Sequence, residues 1–422
     1  MLPLNTISVF GLGKLGACLA ATLAARGFSV VGVDVDPAKV ARLNAGEPPV
    51  DEPRLAETIQ QGHSRLRATS NPADARDTDA SFYIPPSPSL PDGSFSNEFL
   101  LRAMESMARV LRENHRTGHL FVVNSTTTPG TMRRVIQPVL EHELGGKCGQ
   151  DFGLCYNPEF IALGDVVRGL LEPDLVLIGE SDAGSGERLA DLYRRYNTNQ
   201  PRLARMSLTS AELTKISVNS YVTMKISFTN QLRLIAERLP DVNIHDVLGA
   251  IGCDSRIGPK YLRAGLSYGG PCFPRDNRLV AYSARQCGLS APLAEATDRL
   301  NEMAKEDLVE RVLAAVAPGE TVAVLGMAYR PDTYIVEESA GLHLAQRLSR
   351  GGRRVLVHDC QAHPRNSPGL IEFECLESTG QLAQRADLKA VAICCPWPQY
   401  RELVLPPNAL VFDPWGVLRK VG

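Results

Sequence analysis

Six residues near the start of the chain, Gly11-Leu12-Gly13-Lys14-Leu15-Gly16, constrain the fold more than any other segment. They follow an apolar run, Ile7 to Phe10, and precede a stretch of helix formers, Ala17 to Arg26, that Gly27 stops. Phe28 to Val33 reads as a second buried strand, and Asp34 ends it. Strand, glycine turn, helix and strand closed by an acid make a βαβ unit of the dinucleotide-binding kind. In that pattern Gly11 permits the tight turn and Gly13 lets a pyrophosphate approach the helix N-terminus. Gly16 lets helix and strand pack closely. Asp34 would accept hydrogen bonds from ribose hydroxyls and repel a 2′-phosphate, so NAD is expected over NADP, a preference that Lys39 and Arg42 weaken slightly.

The rest of the chain extends this start. Apolar runs at Ala80–Ile84, Leu120–Asn124, Gly153–Tyr156 and Leu175–Gly179, separated by helical stretches, continue a parallel α/β sheet. From Ser207 to Leu239 there is one long helical pattern without Gly or Pro, with Thr209 or Ser210 as its expected N-cap and Pro240 closing it. Its Tyr221 to Phe228 stretch is apolar and reads as buried. More helical segments follow to Val316, broken by the glycine-rich Gly265–Gly270. Pro318-Gly319 then punctuates, and strand patterns return at Thr321–Gly326, Val355–Val357, Ala390–Cys395 and Leu410–Asp413. The expected fold is therefore α/β: two Rossmann-like doubly wound domains, 1–206 and 317–422, joined by a central all-α domain, 207–316.

Bulk properties narrow the partners. A formal net charge of −2 gives no general attraction for nucleic acid or an anionic membrane, so an anionic substrate would need a local basic pocket. No apolar run approaches the roughly 18 residues that span a bilayer, and the N-terminus lacks the pattern of a signal peptide. A cytoplasmic protein is expected. The ten cysteines are scattered without a CxxC pair, so most should be small buried hydrophobes, and no metal site is expected.

Three segments depart from that plain picture. In Ser267-Tyr268-Gly269-Gly270-Pro271-Cys272-Phe273-Pro274-Arg275-Asp276, paired glycines leave room for a ligand beside a thiol and two prolines stiffen the loop. A structural cysteine needs none of this, whereas a nucleophilic thiolate needs access and nearby positive charge. On the long helix, Lys215 and Asn219 are four apart and share a face, although such residues alone are usually solvated. Asn157-Pro158-Glu159-Phe160 follows a strand, where open α/β sheets bind ligands, although a solvated strand-end turn is the plainer reading.

Together these residues resemble the UDP-glucose/GDP-mannose dehydrogenase family over essentially the whole chain. The matching stretches run in the family's order: GLGKLG at 11–16, STTTPGT at 125–131, NPEF at 157–160, AELTK at 211–215, KISF at 225–228, SRIGPKYL at 255–262, YGGPCFPRD at 268–276 and LGMAYRPDT at 325–333. The resemblance implies a four-electron oxidation of a nucleotide sugar's C6 alcohol to a carboxylate, with NAD as cofactor and a thioester on Cys272. It implies that Lys215, Asn219 and Asp276 serve the developing oxyanion and an ordered water, with Thr126 and Glu159 assisting that water or acting as base. Leu12, Lys14, Leu15, Lys39, Ser87, Ser125 and Thr126 would join the glycines and Asp34 around the cofactor. Glu159, Phe160, Lys215, Asn219, Arg263, Tyr268, Gly269, Phe273 and Arg330 would face the nucleotide sugar. Arg256 would reach the ligand of a neighbouring subunit, which implies a homodimer through the central helices.

The chain also departs from the family pattern. Leu163 stands where a second Glu is usual, Leu175 ends the PDR triplet, and Pro271 and Arg275 replace Ser and Lys around the nucleophile. Tyr334, Ile335 and Glu337 replace the two acids and the arginine of TDDxRES. These changes fall on cofactor contacts and domain closure and spare the reactive groups. UDP-glucose to UDP-glucuronate is the reaction expected; GDP-mannose or UDP-N-acetylglucosamine as substrate, or a weakly active sugar-nucleotide-binding paralogue, are the alternatives. A two-electron β-hydroxyacid dehydrogenase would share the N-terminal fold but lack both the third domain and Cys272.

Overall fold

The computed structural model describes residues 3–161 and 164–418. Leu163 therefore lies outside the described residues. Contacts divide the chain into two compact units, Met1–Lys215 and Ile216–Gly422.

The first unit is built on an eight-stranded sheet. Its strands are β1 (Thr6–Phe10), β2 (Ser29–Val33), β3 (Leu66–Thr69), β4 (Ala80–Tyr83), β5 (Leu120–Val123), β6 (Gly153–Tyr156), β7 (Leu175–Glu180) and β8 (Arg202–Ser207). They lie in the order β3-β2-β1-β4-β5-β6-β7-β8, and only the β6–β7 pairing is antiparallel. The inner strands are near-continuous apolar runs because helices cover both faces, whereas the edge strands β3 and β8 carry arginines. One core lies against α1 (Lys14–Ala25) and α2 (Ala183–Tyr196), the other under the helix Glu98–Glu113.

The second unit begins within α3 (Leu208–Ala236), continues through α4 (Ile244–Cys253), α5 (Phe273–Gln286) and α6 (Pro292–Ala315), and ends in a parallel five-stranded sheet. That sheet holds β9 (Thr321–Leu325), β10 (Arg354–His358), β11 (Glu374–Cys375), β12 (Leu388–Ile393) and β13 (Leu410–Phe412), ordered β11-β10-β9-β12-β13, with α7 (Ala340–Arg350) packed on it.

Both sheets open with the same device. Gly11 (φ +96°) donates its N–H to the Val33 carbonyl at 2.8 Å, and Gly326 (φ +89°) donates to His358 at 2.8 Å. Asp34 then accepts the Leu12 N–H at 2.5 Å, as Asp359 accepts that of Met327 at 2.8 Å. The acids differ afterwards. Asp359 also takes the backbone N–H groups of Ala328, Gln361 and Ala362 and the Trp397 indole N–H, which leaves it saturated and buried.

Two expectations need correction. The long helix starts at Leu208, so the hydroxyl that caps it is Ser207, accepting the Ser210 N–H at 3.2 Å, and not Thr209 or Ser210. Strand β8 runs directly into this helix, which moves the cap to the strand's last residue. The Tyr221–Phe228 stretch is also not buried throughout: Tyr221 is 63% and Phe228 46% exposed, and Val218 and Ile235 extend the same open apolar surface. The other side of the helix carries its packing, through buried Thr223, Ser227, Asn230 and Arg233.

Candidate active site

In the first unit the glycine turn has the features expected of it. An ideal Cβ on Gly16 would sit 1.8 Å from the Gly11 carbonyl oxygen, so close packing of α1 on the turn requires glycine. A Cβ on Gly13, the N-cap of α1, would meet nothing within 4 Å, which leaves the helix N-terminus open to a phosphate. Leu12 is fully buried, so its side chain shapes the turn, while Lys14 and Leu15 are partly exposed in the first turn of α1. Asp34 is held by the N–H groups of Leu12 and Asp36, with the Lys39 ammonium 3.6 Å away. These residues fit a dinucleotide: an open helix N-terminus beside an oriented carboxylate.

Ser125 joins two expected cofactor segments, its hydroxyl donating to the Pro85 carbonyl at 2.5 Å, two residues before Ser87. The loop that follows, carrying Thr126, is fastened by a residue the motif reading overlooked. Glu212 is fully buried and accepts from the Thr127 hydroxyl at 3.0 Å and from the N–H groups of Gly130 and Met132 at 2.7 and 2.9 Å. It stands one helical turn before Lys215 and ties the start of α3 to the Thr126 loop. Burial raises its carboxyl above the ordinary value, against the pull of those donors.

At the end of β6, Asn157 is structural. It donates to the Leu177 carbonyl at 2.9 Å and accepts from Asn124 and from the Tyr193 hydroxyl. That network fixes the end of the strand just before Glu159. Glu159 is partly buried and lies in the field of the Lys215 ammonium, whose Nζ is 5.1 Å from the Phe160 ring centroid. Burial pushes the Glu159 carboxyl up to about 7, opposed by the Lys215 charge and the Tyr193 hydroxyl. The first unit thus gathers Glu159, Phe160 and Lys215.

In the second unit Cys272 is exposed and is the N-cap of α5. A thiol at a helix N-terminus is placed where the unpaired N–H groups favour its thiolate. Pro274 falls in the first turn, where its missing N–H costs nothing. Asp276, one turn on, donates its N–H to the Cys272 carbonyl at 2.9 Å and accepts from the Asn219 amide at 2.6 Å. Asn277 repeats the link, accepting from Ser220 at 2.7 Å, so α3 and α5 are joined twice beside the thiol. Phe273 is partly buried next to it.

Other expected ligands stand differently. The Tyr268 side chain is buried with its hydroxyl donating to Asp298 at 2.5 Å, and Asn301 accepts its backbone N–H at 2.8 Å and donates to its carbonyl at 3.1 Å, so side chain and backbone are both held by the chain itself. Arg263 is exposed with its guanidinium 5.7 Å from the Trp415 ring, and Arg330 lies over the Tyr329 ring at 5.9 Å. Arg256 is 86% exposed at its side chain and pairs only with Asp254 among the contacts described. The room read beside the paired glycines is filled by the chain itself. A Cβ on Gly269 would lie 2.4 Å from the Glu338 carbonyl oxygen, and one on Gly270 2.7 Å from the Tyr329 ring.

In the second unit, the exposed cysteine at a helix start is a candidate nucleophile. In the first, the open glycine turn with its oriented acid fits a dinucleotide-dependent α/β oxidoreductase. The comparisons agree. The UDP-glucose/GDP-mannose dehydrogenase family models match residues 5–197 (NAD binding domain), 209–303 (central domain) and 323–420 (UDP binding domain). This chain belongs to the UDP-glucose/GDP-mannose dehydrogenase family, and its cofactor is NAD. It is 32% identical to UDP-glucose 6-dehydrogenase AglM of Haloferax volcanii, over 94% of this chain and 92% of that one. It is 34% identical to GDP-mannose 6-dehydrogenase of Pseudomonas putida, over 84% and 80%. A solved UDP-glucose dehydrogenase from Pyrobaculum islandicum superposes with a TM-score of 0.90 at 33% identity, covering 99% of this chain and 97% of that one.

Proposed function

We propose that the protein oxidises the C6 alcohol of UDP-glucose to the carboxylate of UDP-glucuronate through a thioester on Cys272. The observation that carries this reading is the exposed thiol at the start of α5, backed by the Asn219–Asp276 bond. NAD, held by the Gly11–Gly16 turn and Asp34, supplies the hydride acceptor, two molecules per sugar.

The residues of the chain handle protons and the covalent step. Glu159, pushed up to about 7, takes the proton of the alcohol or of the hydrolytic water at neutral pH. The Cys272 thiolate forms a C–S bond to the C6 aldehyde, which keeps the two-electron product from leaving. The Lys215 ammonium and the Asn219 amide stabilise the alkoxide of that adduct. Once the adduct has been oxidised to the thioester, water adds to its carbonyl with Asp276 and Thr126 ordering it. The C–S bond then breaks, and the thiolate and the carboxylic acid separate. Phe160, Arg263, Gly269, Phe273 and Arg330 hold the nucleotide sugar.

The active form is proposed to be a homodimer through the central helices. The exposed apolar surface of Val218, Tyr221, Phe228 and Ile235 supports it, as does the exposure of the Arg256 side chain, which Asp254 holds. The decisive measurement is NADH formed per sugar consumed, with UDP-glucose, GDP-mannose and UDP-N-acetylglucosamine compared. Two NADH and the acid from UDP-glucose are expected. One NADH per sugar would overturn the thioester route, and the same yield from GDP-mannose alone would move the substrate. Cys272→Ser should form no acid; full acid production by that variant would remove the nucleophile assignment.

A further inference from the structure

The segment between β9 and α7 is anchored at both ends and folded back on itself. Gly326 holds one end, and Ser339 caps α7 by accepting the Leu342 N–H at 3.2 Å. Within it, Tyr329 donates its N–H to the Ile335 carbonyl at 3.0 Å. Asp332 and Glu338 take left-handed conformations, φ +63° and +54°, which non-glycine residues adopt only when their surroundings hold them there.

This segment is laid against the loop that carries the thiol. The Gly270 N–H donates to the Glu337 carbonyl at 2.9 Å, and the Glu338 carbonyl fills the place of a side chain on Gly269. The Tyr329 ring fills that on Gly270. The Arg278–Glu338 ion pair at 3.0 Å adds little, since both side chains are substantially exposed. Tyr329 has a second neighbour: its hydroxyl oxygen accepts from Arg330 Nε at 3.2 Å, and the guanidinium lies over its ring. One aromatic side chain therefore touches both Arg330 and the backbone two residues before Cys272.

We infer that Tyr329 is a positioning residue, through which a nucleoside diphosphate held by Arg330 sets the placement of the Cys272 loop. The inference rests on the reading of Arg330 and Cys272 given above. It adds a route by which the end of the substrate remote from the chemistry prepares the nucleophile. A diphosphate competes with the Tyr329 hydroxyl for Arg330. When the guanidinium turns to the phosphates, the ring loses its hold on one side and shifts against Gly270. Gly270 (φ +79°) and Gly269 carry no side chain that could isolate the thiol from that shift.

The test is the rate at which iodoacetamide alkylates Cys272, followed by mass spectrometry of its peptide, because Cys253 and Cys287 are exposed too. UDP is the probe, since it lacks a sugar to cover the thiol. In the wild-type protein, saturating UDP should change the rate by at least about five-fold, the lower end of ordinary coupling between sites. Tyr329→Phe keeps the ring but loses the hydroxyl that Arg330 holds, so with or without UDP it should alkylate at the rate of the UDP-bound wild type. Gly269→Ala, whose Cβ meets the Glu338 carbonyl, should change the resting rate without UDP. A full UDP response in Tyr329→Phe overturns the inference, as does a wild-type rate indifferent to bound UDP. Alkylation needs no turnover, so failure of the proposed reaction would appear separately, in the NADH yield.

Discussion

Glu159 and Glu212 show how two carboxyls in one unit come to different uses. Burial pushes Glu159 up to about 7, and only the deprotonated form can act as a base. Activity should therefore rise with pH through about 7 and level above it. Glu159→Gln should lose roughly 10²–10⁴ in kcat and show no such rise, as removal of a general base does. Steady-state NADH production across that range decides it; a rise that persists in the variant assigns the titration to another group. Glu212 instead has every donor it needs within its own unit. Glu212→Gln sets an amide N–H against a backbone N–H and should cost about 1–3 kcal/mol. The expected readouts are a lower Tm and a raised KM for NAD with UDP affinity unchanged. Equal losses for both ligands would mean general damage. Glu212 sits inside a motif read for its lysine, and its partners are some eighty residues away, where no local spacing reveals them.

At the level of elements, glycines that look alike in the sequence separate by what surrounds them. Gly13→Ala meets open space at an ordinary φ of −72°, so Tm should hold while NAD affinity falls at least about tenfold, roughly 1.4 kcal/mol. Gly16→Ala drives a methyl into the Gly11 carbonyl and should cost about 1–3 kcal/mol of stability, read by thermal unfolding. If Gly13→Ala binds NAD normally, the open space at the helix start is not where the pyrophosphate lies. The pair at Gly269 and Gly270 looks similar in the sequence, yet their room is taken by Glu338 and Tyr329. A glycine announces that space is needed beside the backbone; it does not say whether a ligand or the chain fills it.

For the whole molecule, the long helix poses the main question. Its outer face leaves Tyr221 and Phe228 in water, and an apolar surface of this kind marks an interaction site. Tyr221→Asp should convert the proposed dimer to a monomer in light-scattering chromatography. It should also lower the activity per chain, as the proposed role of Arg256 at a neighbour's ligand requires. A variant that stays dimeric would move the interface off this face. Among the described residues no helix is long and apolar enough to cross a membrane.

The sequence alone determined whatever depends on short-range pattern. The βαβ start, the helical middle, the second sheet and the ordered motifs are legible because strand and helix periods and glycine turns are local. The residues proposed to react were picked out for the same reason: Cys272, Lys215 and Glu159 each sit in a compact, recognisable stretch. What only tertiary structure decided are the partners supplied by distant segments. The three donors on Glu212, the hold of Asn157 and Tyr193 at the strand end, and the Tyr329 ring against Gly270 all join residues far apart in the chain. Packing in three dimensions selects those pairs by shape and by the need to satisfy buried polar groups, and neither requirement leaves a periodic trace in the sequence.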